Sequence, residues 1–261
     1  MRLLRAERRG FAGSAEVLAD DGHRADVAAY VADMARPFGG ESGGDLAGQS
    51  YGEMARELVA AVVSPEEPVD LLVLAFSVHD VWPGRATATY LSHLCPGTPL
   101  SFAICDQGSA APFTALRVVR AHGARRALLL VVEQASLPYD AGAPLPAEHR
   151  GVAMLYGGGA GARVTDLRQH ADVAPGAVPG LASLAVAELS GGPVPVVVSE
   201  ALAAVWPGRP EHALVSQGQP TTGVWWELTA ALDGGADVVV VADYDHRLRY
   251  LSVAAVSSVE R

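Results

Sequence analysis

Two rhythms of apolar residues alternate along the chain. Met54, Leu58, Val59 and Val62 recur at helical spacing until Ser64-Pro65 stops the run. The stretch 69-VDLLVLAFS-77 then reads as a buried strand, 86-ATATYLSHL-94 as a helix and 99-PLSFAI-104 as a strand. A helix over 110-AAPFTALRVVRAHG-123 and a strand over 126-RALLLVVEQ-134 follow, and 151-GVAMLYGGGAGARVTDL-167 reads as a β-hairpin turning on its glycines. Upstream, residues 1–50 read as a weakly structured lead with one helix from Ala25 to Ala35 and a glycine-rich connection, PFGGESGGDLAGQS. Strands alternating with short helices predict an α/β fold with a parallel sheet covered by helices.

The second half repeats this order in shorter form. Strand 194-VPVVVS-199 leads through a short helix to 205-VWPGR-209, a pentapeptide also present at 81-VWPGR-85. Strand 212-HALVSQ-217, helix 221-TTGVWWELTAAL-232 and the pair 236-ADVVVVADYD-245 and 248-LRYLSVAAV-256 complete it. The repeated order predicts a duplicated β/α unit. The expected division is a lead over 1–50, a first half over 51–170 and a second half over 171–261.

Composition narrows the function. Half of the 261 residues are hydrophobic and 18% are charged, which fits a globular chain. A net charge of −10 argues against a nucleic-acid partner. The sequence contains no lysine, which excludes a Schiff-base or P-loop lysine. The two cysteines, Cys95 and Cys105, have no metal-ligand spacing, and neither do the histidines, so no metal or other cofactor is expected. The first residues lack the apolar core of a signal peptide and the longest apolar runs are strand length; no membrane association is expected, and the location is expected to be cytoplasmic.

The stretch 102-FAICDQGSAAPFTAL-116 concentrates the candidate chemistry, because a polar loop between a strand and a helix N-terminus offers free N–H groups and a positive dipole end. Together with 70-DLLVLAFSVHDVWPG-84, 127-ALLLVVEQAS-136 with Glu133, Arg150 before 155-LYGGGAGA-162, and 218-GQPTTGVWWELTAALDGGADVVVV-241, it resembles the thiolase superfamily, in its ketoacyl-ACP synthase III branch. The resemblance runs from about Ser50 to Val256. It implies duplicated β/α units layered α-β-α-β-α, dimerisation through first-half strands, and acyl chains carried as CoA or acyl carrier protein thioesters. It also implies a Cys, His and Asn set, with a thiolate at a helix N-terminus and backbone N–H groups for the oxyanion.

This chain departs from that pattern. The His position falls in 197-VVSEAL-202, nearest Ser199, and the later Gly-Asn becomes Gly218-Gln219. The cysteine position falls on Ser109 when counted from Ala115-Leu116, on Asp106 beside Cys105 when counted from Gly123, and on Gln107 when counted from Pro99. A glutamine there resembles chain-length factors, whose amide cannot attack a thioester. The expectation is therefore a shortened, degenerate ketosynthase-like subunit, chain-length-factor-like, paired with an active ketosynthase and acyl carrier protein in type II polyketide or fatty-acid-like biosynthesis, as a homo- or heterodimer. The rival is an active acyltransferase using Cys105 or Ser109 with His79 as base; a third reading is an α/β binding module without acyl chemistry. Trp225 and Trp226 are the candidate acyl-contacting residues, although adjacent helix positions face different sides.

Overall fold

The computed structural model describes residues 1–38, 47–137, 145–190 and 194–259. Its elements in chain order are β1 (Arg2–Gly10), α1 (Asp21–Ala35), α2 (Tyr51–Val62), β2 (Leu71–Ala75), α3 (Thr87–Leu94), β3 (Leu100–Ile104), α4 (Ala111–His122), β4 (Arg126–Glu133) and β5 (Arg150–Gly157). The second series is β6 (Ala162–His170), α5 (Val178–Ser190), β7 (Val196–Ser199), α6 (Glu200–Val205), β8 (Leu214–Ser216), α7 (Gly223–Asp233), β9 (Val238–Asp245) and β10 (Tyr250–Ser257). Local chemistry fixes several ends. Ser50 and Glu53 form a capping box on α2, and Gly123 closes α4 with φ +69°, a left-handed conformation that glycine adopts without strain. Most of the glycine-rich connection before α2 lies outside the described residues.

The strands run in the order β3-β2-β4-β5-β1-β6-β10-β9-β7-β8. Numbered within each series, both halves have the order 3-2-4-5-1, so the duplication predicted from the sequence is present in the sheet. β1 and β6 are the two first strands and join the halves through two residue pairs, Arg2 with Arg163 and Leu3 with Ala162. Two readings are corrected here. Residues 2–10, read as part of a weakly structured lead, form a full strand. The segment 151–167 is not a hairpin, because β5 pairs with β1 instead of β6. Gly161 makes this crossing possible: it has φ +146°, and a Cβ there would run into the Leu3 carbonyl.

Strand alternation then generates the layers. Leu71, Val73 and Ala75 of β2, with Ala127, Leu129 and Val131 of β4, face α4 and α7 and meet Val239 and Val241 of β9 and Ala254 and Val256 of β10 across those helices. The intervening positions, Leu72, Leu74, Leu128 and Leu130, pack outward on α2 and α3. Their second-half counterparts, Val196, Val198, Val240 and Ala242, pack outward on α5 and α6. The result is helices, sheet, the α4–α7 pair, sheet, helices: an α-β-α-β-α stack. The edge strands are β3 and β8, and β4 lies between β2 and β5.

Candidate functional site

Parallel strands that share a direction bring the loops at their C-terminal ends together. The loop after β3 contains Asp106 with φ +58° and Gly108 with φ +50°, then a short 3-10 turn, Gly108–Ala110, that feeds α4. The Ser109 N–H donates to Asp245 Oδ2 at 3.1 Å, and the Ser109 hydroxyl donates to Asp243 Oδ2 at 2.7 Å. Both acids lie at the end of β9, in the opposite half. Asp245 Oδ1 also accepts the N–H groups of Arg247 and Leu248, at 3.0 and 2.8 Å, which fixes the β9–β10 turn. Gly108 is required at its position, since a Cβ there would collide with the Asp245 carboxylate.

Asp243 is buried, and its Oδ1 has no hydrogen-bond partner among the described residues. Burial pushes its carboxyl up to about 6; the Ser109 hydrogen bond opposes the rise and the Asp245 charge adds to it. The pseudo-equivalent end of β4 is built alike. Glu133 is fully buried and accepts the N–H groups of Thr221 and Thr222, at 2.9 and 2.8 Å, along with the Thr222 hydroxyl. Burial raises its carboxyl while these donors and the Arg150 charge pull it down. Each central helix thus starts against a carboxylate supplied by the other half, where the helix dipole favours negative charge.

The residues singled out from the sequence stand in different settings. Cys105 is half-buried and its thiol lies 3.4 Å from Asp106 Oδ2; burial first, then Asp106, raises its pKa. Gln107 Oε1 accepts the Thr114 hydroxyl at 2.6 Å, and Gln169 Nε2 donates to the same Thr114 oxygen at 3.1 Å. Ser199 caps α6, accepting the Leu202 N–H at 3.2 Å. Gln219 is buried and donates to the Glu148 carbonyl at 3.4 Å, while Ala147 N donates to the Gly218 carbonyl at 2.7 Å. His79 is exposed and lines a cavity with Asp80 and Trp82. Trp225 is buried between the sheets, its ring centroid 4.7 Å from that of Phe113. Trp226 is half-buried beneath the guanidinium groups of Arg8 and Arg150, at 5.7 and 4.7 Å from its centroid.

Asp243 and Asp245 were not among the sequence candidates, yet the signal was present. In 238-VVVVADYD-245 the inward-facing positions are 239, 241, 243 and 245, so two acids stand on a face whose parity is buried. Chemically, the arrangement fills the helix N-terminus with the chain's own carboxylates and spends the Ser109 hydroxyl proton on one of them. Among the described residues no group of three or more His, Cys, Asp or Glu residues could hold a metal ion, and no helix is long and apolar enough to cross a membrane.

A duplicated 3-2-4-5-1 sheet around two central helices is the thiolase-like fold of ketoacyl-ACP synthase III-type condensing enzymes. The solved structures it resembles include ChlB3, an acyltransferase, with a TM-score of 0.68 and 18% identity over 98% of this chain and 97% of that one. AbyA1, a tetronic acid condensing enzyme, matches with a TM-score of 0.66 and 18% identity over 98% and 99%. The β-ketoacyl-[acyl carrier protein] synthase III (FabH) of Thermus thermophilus matches with a TM-score of 0.63 and 15% identity over 100% and 99%. At these identities the likeness concerns the fold. No family model and no curated protein matches the sequence.

Proposed function

We propose that the chain is a non-catalytic, ketosynthase-like subunit that pairs with an active ketosynthase and shapes its acyl cavity, in type II polyketide or fatty-acid-like biosynthesis. One observation carries the reading: the N-terminus of α4 is taken by Asp245 and Asp243. Acyl transfer at this place needs a thiolate and free N–H groups for the oxyanion. Here an N–H at the turn is spent on a carboxylate, and two acids stand where negative charge would have to build up during reaction. A thiolate, an anionic extender unit and a tetrahedral oxyanion are all disfavoured by them.

The partner fits the free edge. β3 is five residues long without a charge or proline, and Leu100 is 58% exposed at its start. β8 is only three residues. An edge of the first kind, left uncovered, is a template for strand pairing. Acyl carrier protein or CoA thioesters would then be substrates of the pair, presented at the partner's site, and the assembly is expected in the cytoplasm.

The rival, an active acyltransferase using Ser109 or Cys105, draws on the Ser109–Asp243 hydrogen bond and on the likeness to ChlB3. Intact-protein mass spectrometry separates the two. Wild type, Cys105→Ala and Ser109→Ala are incubated with acetyl-, malonyl- and longer acyl-CoA and acyl-ACP thioesters, with and without a co-expressed ketosynthase. No adduct on this chain is expected. A stoichiometric acyl adduct lost in one of the two variants overturns the non-catalytic reading.

A further inference from the structure

A cavity of about 330 Å³ opens beside β3, between the loop that follows β2 and helix α3. At ~30 Å³ per water it holds about ten waters, the low end of small-molecule sites. Phe76, Trp82 and Phe102 supply apolar walls, and Asp80, Arg85 and Thr87 supply polar groups. Arg85 is unusual among the arginines. Four of them have no side-chain hydrogen bond or ion pair among the described residues: Arg56, Arg120 and Arg163 are exposed, whereas Arg85 is half-buried. Its guanidinium carbon lies 3.4 Å from the Tyr90 ring centroid and 4.6 Å from that of Trp82. Gly52 of α2 leaves room for this stack, since a Cβ there would come within 3.1 Å of Arg85 Nη1 and 3.2 Å of the Tyr90 ring. Stacking holds the planar fork by its faces and leaves its edge donors unspent.

We propose that this cavity binds a small aryl carboxylate, its carboxylate clasped by Arg85 and its ring set against Trp82, Phe76 and Phe102. The Arg fork matches a carboxylate in two parallel hydrogen bonds, and a half-buried fork that makes no side-chain hydrogen bond or ion pair among the described residues is the group such a ligand completes. Asp80 decides between anions. It accepts the Tyr51 N–H at 3.0 Å, faces the N–H groups of Val81 and Trp82, and feels the Arg85 charge. Arg85 is the one guanidinium in a wall that also holds Asp80 and His79, and a single fixed cation beside an acid suits a monoanion better than a phosphate dianion. The site is separate from the Ser109 cluster, and its existence does not depend on whether the chain is catalytic.

Isothermal titration calorimetry of the full chain at low salt tests this with 3-phenylpropionate, its neutral amide and phenyl phosphate. Saturable binding of 3-phenylpropionate is expected, with the amide and phenyl phosphate weaker by at least about tenfold. Arg85→Gln should lose at least about tenfold for the carboxylate, Arg85→Lys should fall between, and Arg56→Gln should match wild type. A crystal grown with 4-bromophenylacetate gives a readout independent of the variants, because the anomalous bromine peak should lie among Phe76, Trp82 and Phe102. No saturable heat at millimolar carboxylate, equal affinity in Arg85→Gln, tighter binding of phenyl phosphate, or a bromine peak elsewhere overturns the proposal.

Discussion

At the scale of single residues, the decisive groups are acids placed on faces that should be apolar. Glu133 and Asp245 each end an eight-residue strand at the same inward parity, and each meets the start of the opposite half's central helix. Asp243, one inward step earlier, has a clear pH signature. An unfolded aspartate titrates near ~3.9, whereas burial raises this one to about 6, so between those values the folded state holds the extra proton. Its contribution is fully present below pH ~4 and lost as pH rises through about 6, a change of about 2–3 kcal/mol. Asp243→Asn mimics the protonated form at every pH. The stability difference between wild type and Asp243→Asn, from thermal unfolding at pH 4 to 7, should therefore decline across that window. Asp80, raised to about 6 by burial, and Glu53, Glu67 and Asp70, which are lowered, titrate in both proteins and cancel. A flat difference would show that burial does not raise the Asp243 carboxyl above its unfolded value. The sequence singled out the loop 105–109 through its strand-turn-helix pattern, and the structure places that loop between β3 and α4. It did not show what fills the helix start, because Asp243 reaches Ser109 across 134 positions of chain.

Whole elements were legible where the apolar rhythm is regular. The strands at 71–75 and 126–133 and the helix at 111–122 fall within a residue or two of the predicted runs, and the helix at 51–62 carries the apolar repeat read from Met54 to Val62. β1 was not, because RLLRAERRG places four arginines in nine residues and buries only Leu3. Its arginine stems do the covering instead: Arg5 reaches Glu67 at 2.6 Å, Arg9 reaches Glu57 at 3.1 Å, and Arg8 lies over Trp226. The repeated VWPGR teaches a different lesson. Both copies make the same turn, with Arg85 N and Arg209 N each donating to the Trp carbonyl at 3.2 Å. Yet the first copy precedes the helix between strands two and three of its half, and the second follows it. The duplication is real, and the pentapeptide is not its marker. The consequence for β1 is direct. It supplies the full ladder to β5 and the two pairs that join β6. Deleting residues 1–10 should abolish the cooperative thermal transition and leave the β5 amides unprotected in hydrogen exchange; a truncated chain with a sharp transition near that of the full chain would reduce β1 to an ornament.

At the scale of the molecule, layering was readable because a duplicated β/α pattern permits few arrangements, and the two central helices must be apolar enough to lie between sheets. Which strand would be left at the edge was not readable, since strand order is a property of the closed sheet. The edge that emerged, β3, can be tested without disturbing the fold. Leu100 N donates to the Asp70 carbonyl at 3.0 Å and the Ile104 carbonyl accepts the Phe76 N–H at 3.2 Å. In a parallel ladder the N–H and C=O of one residue point the same way and alternate between neighbours. The backbone groups of Ser101 and Ala103 therefore face the open edge. Ala103→Pro removes one outward N–H and leaves the β2 pairing in place, which edge strands tolerate. If the chain associates through β3, with itself or with a ketosynthase, sedimentation velocity should show the wild type as a dimer. Ala103→Pro should shift to monomer with an unchanged circular dichroism spectrum. A wild type that stays monomeric alone and with every co-encoded ketosynthase, or a proline variant that still dimerises, would place the interface elsewhere.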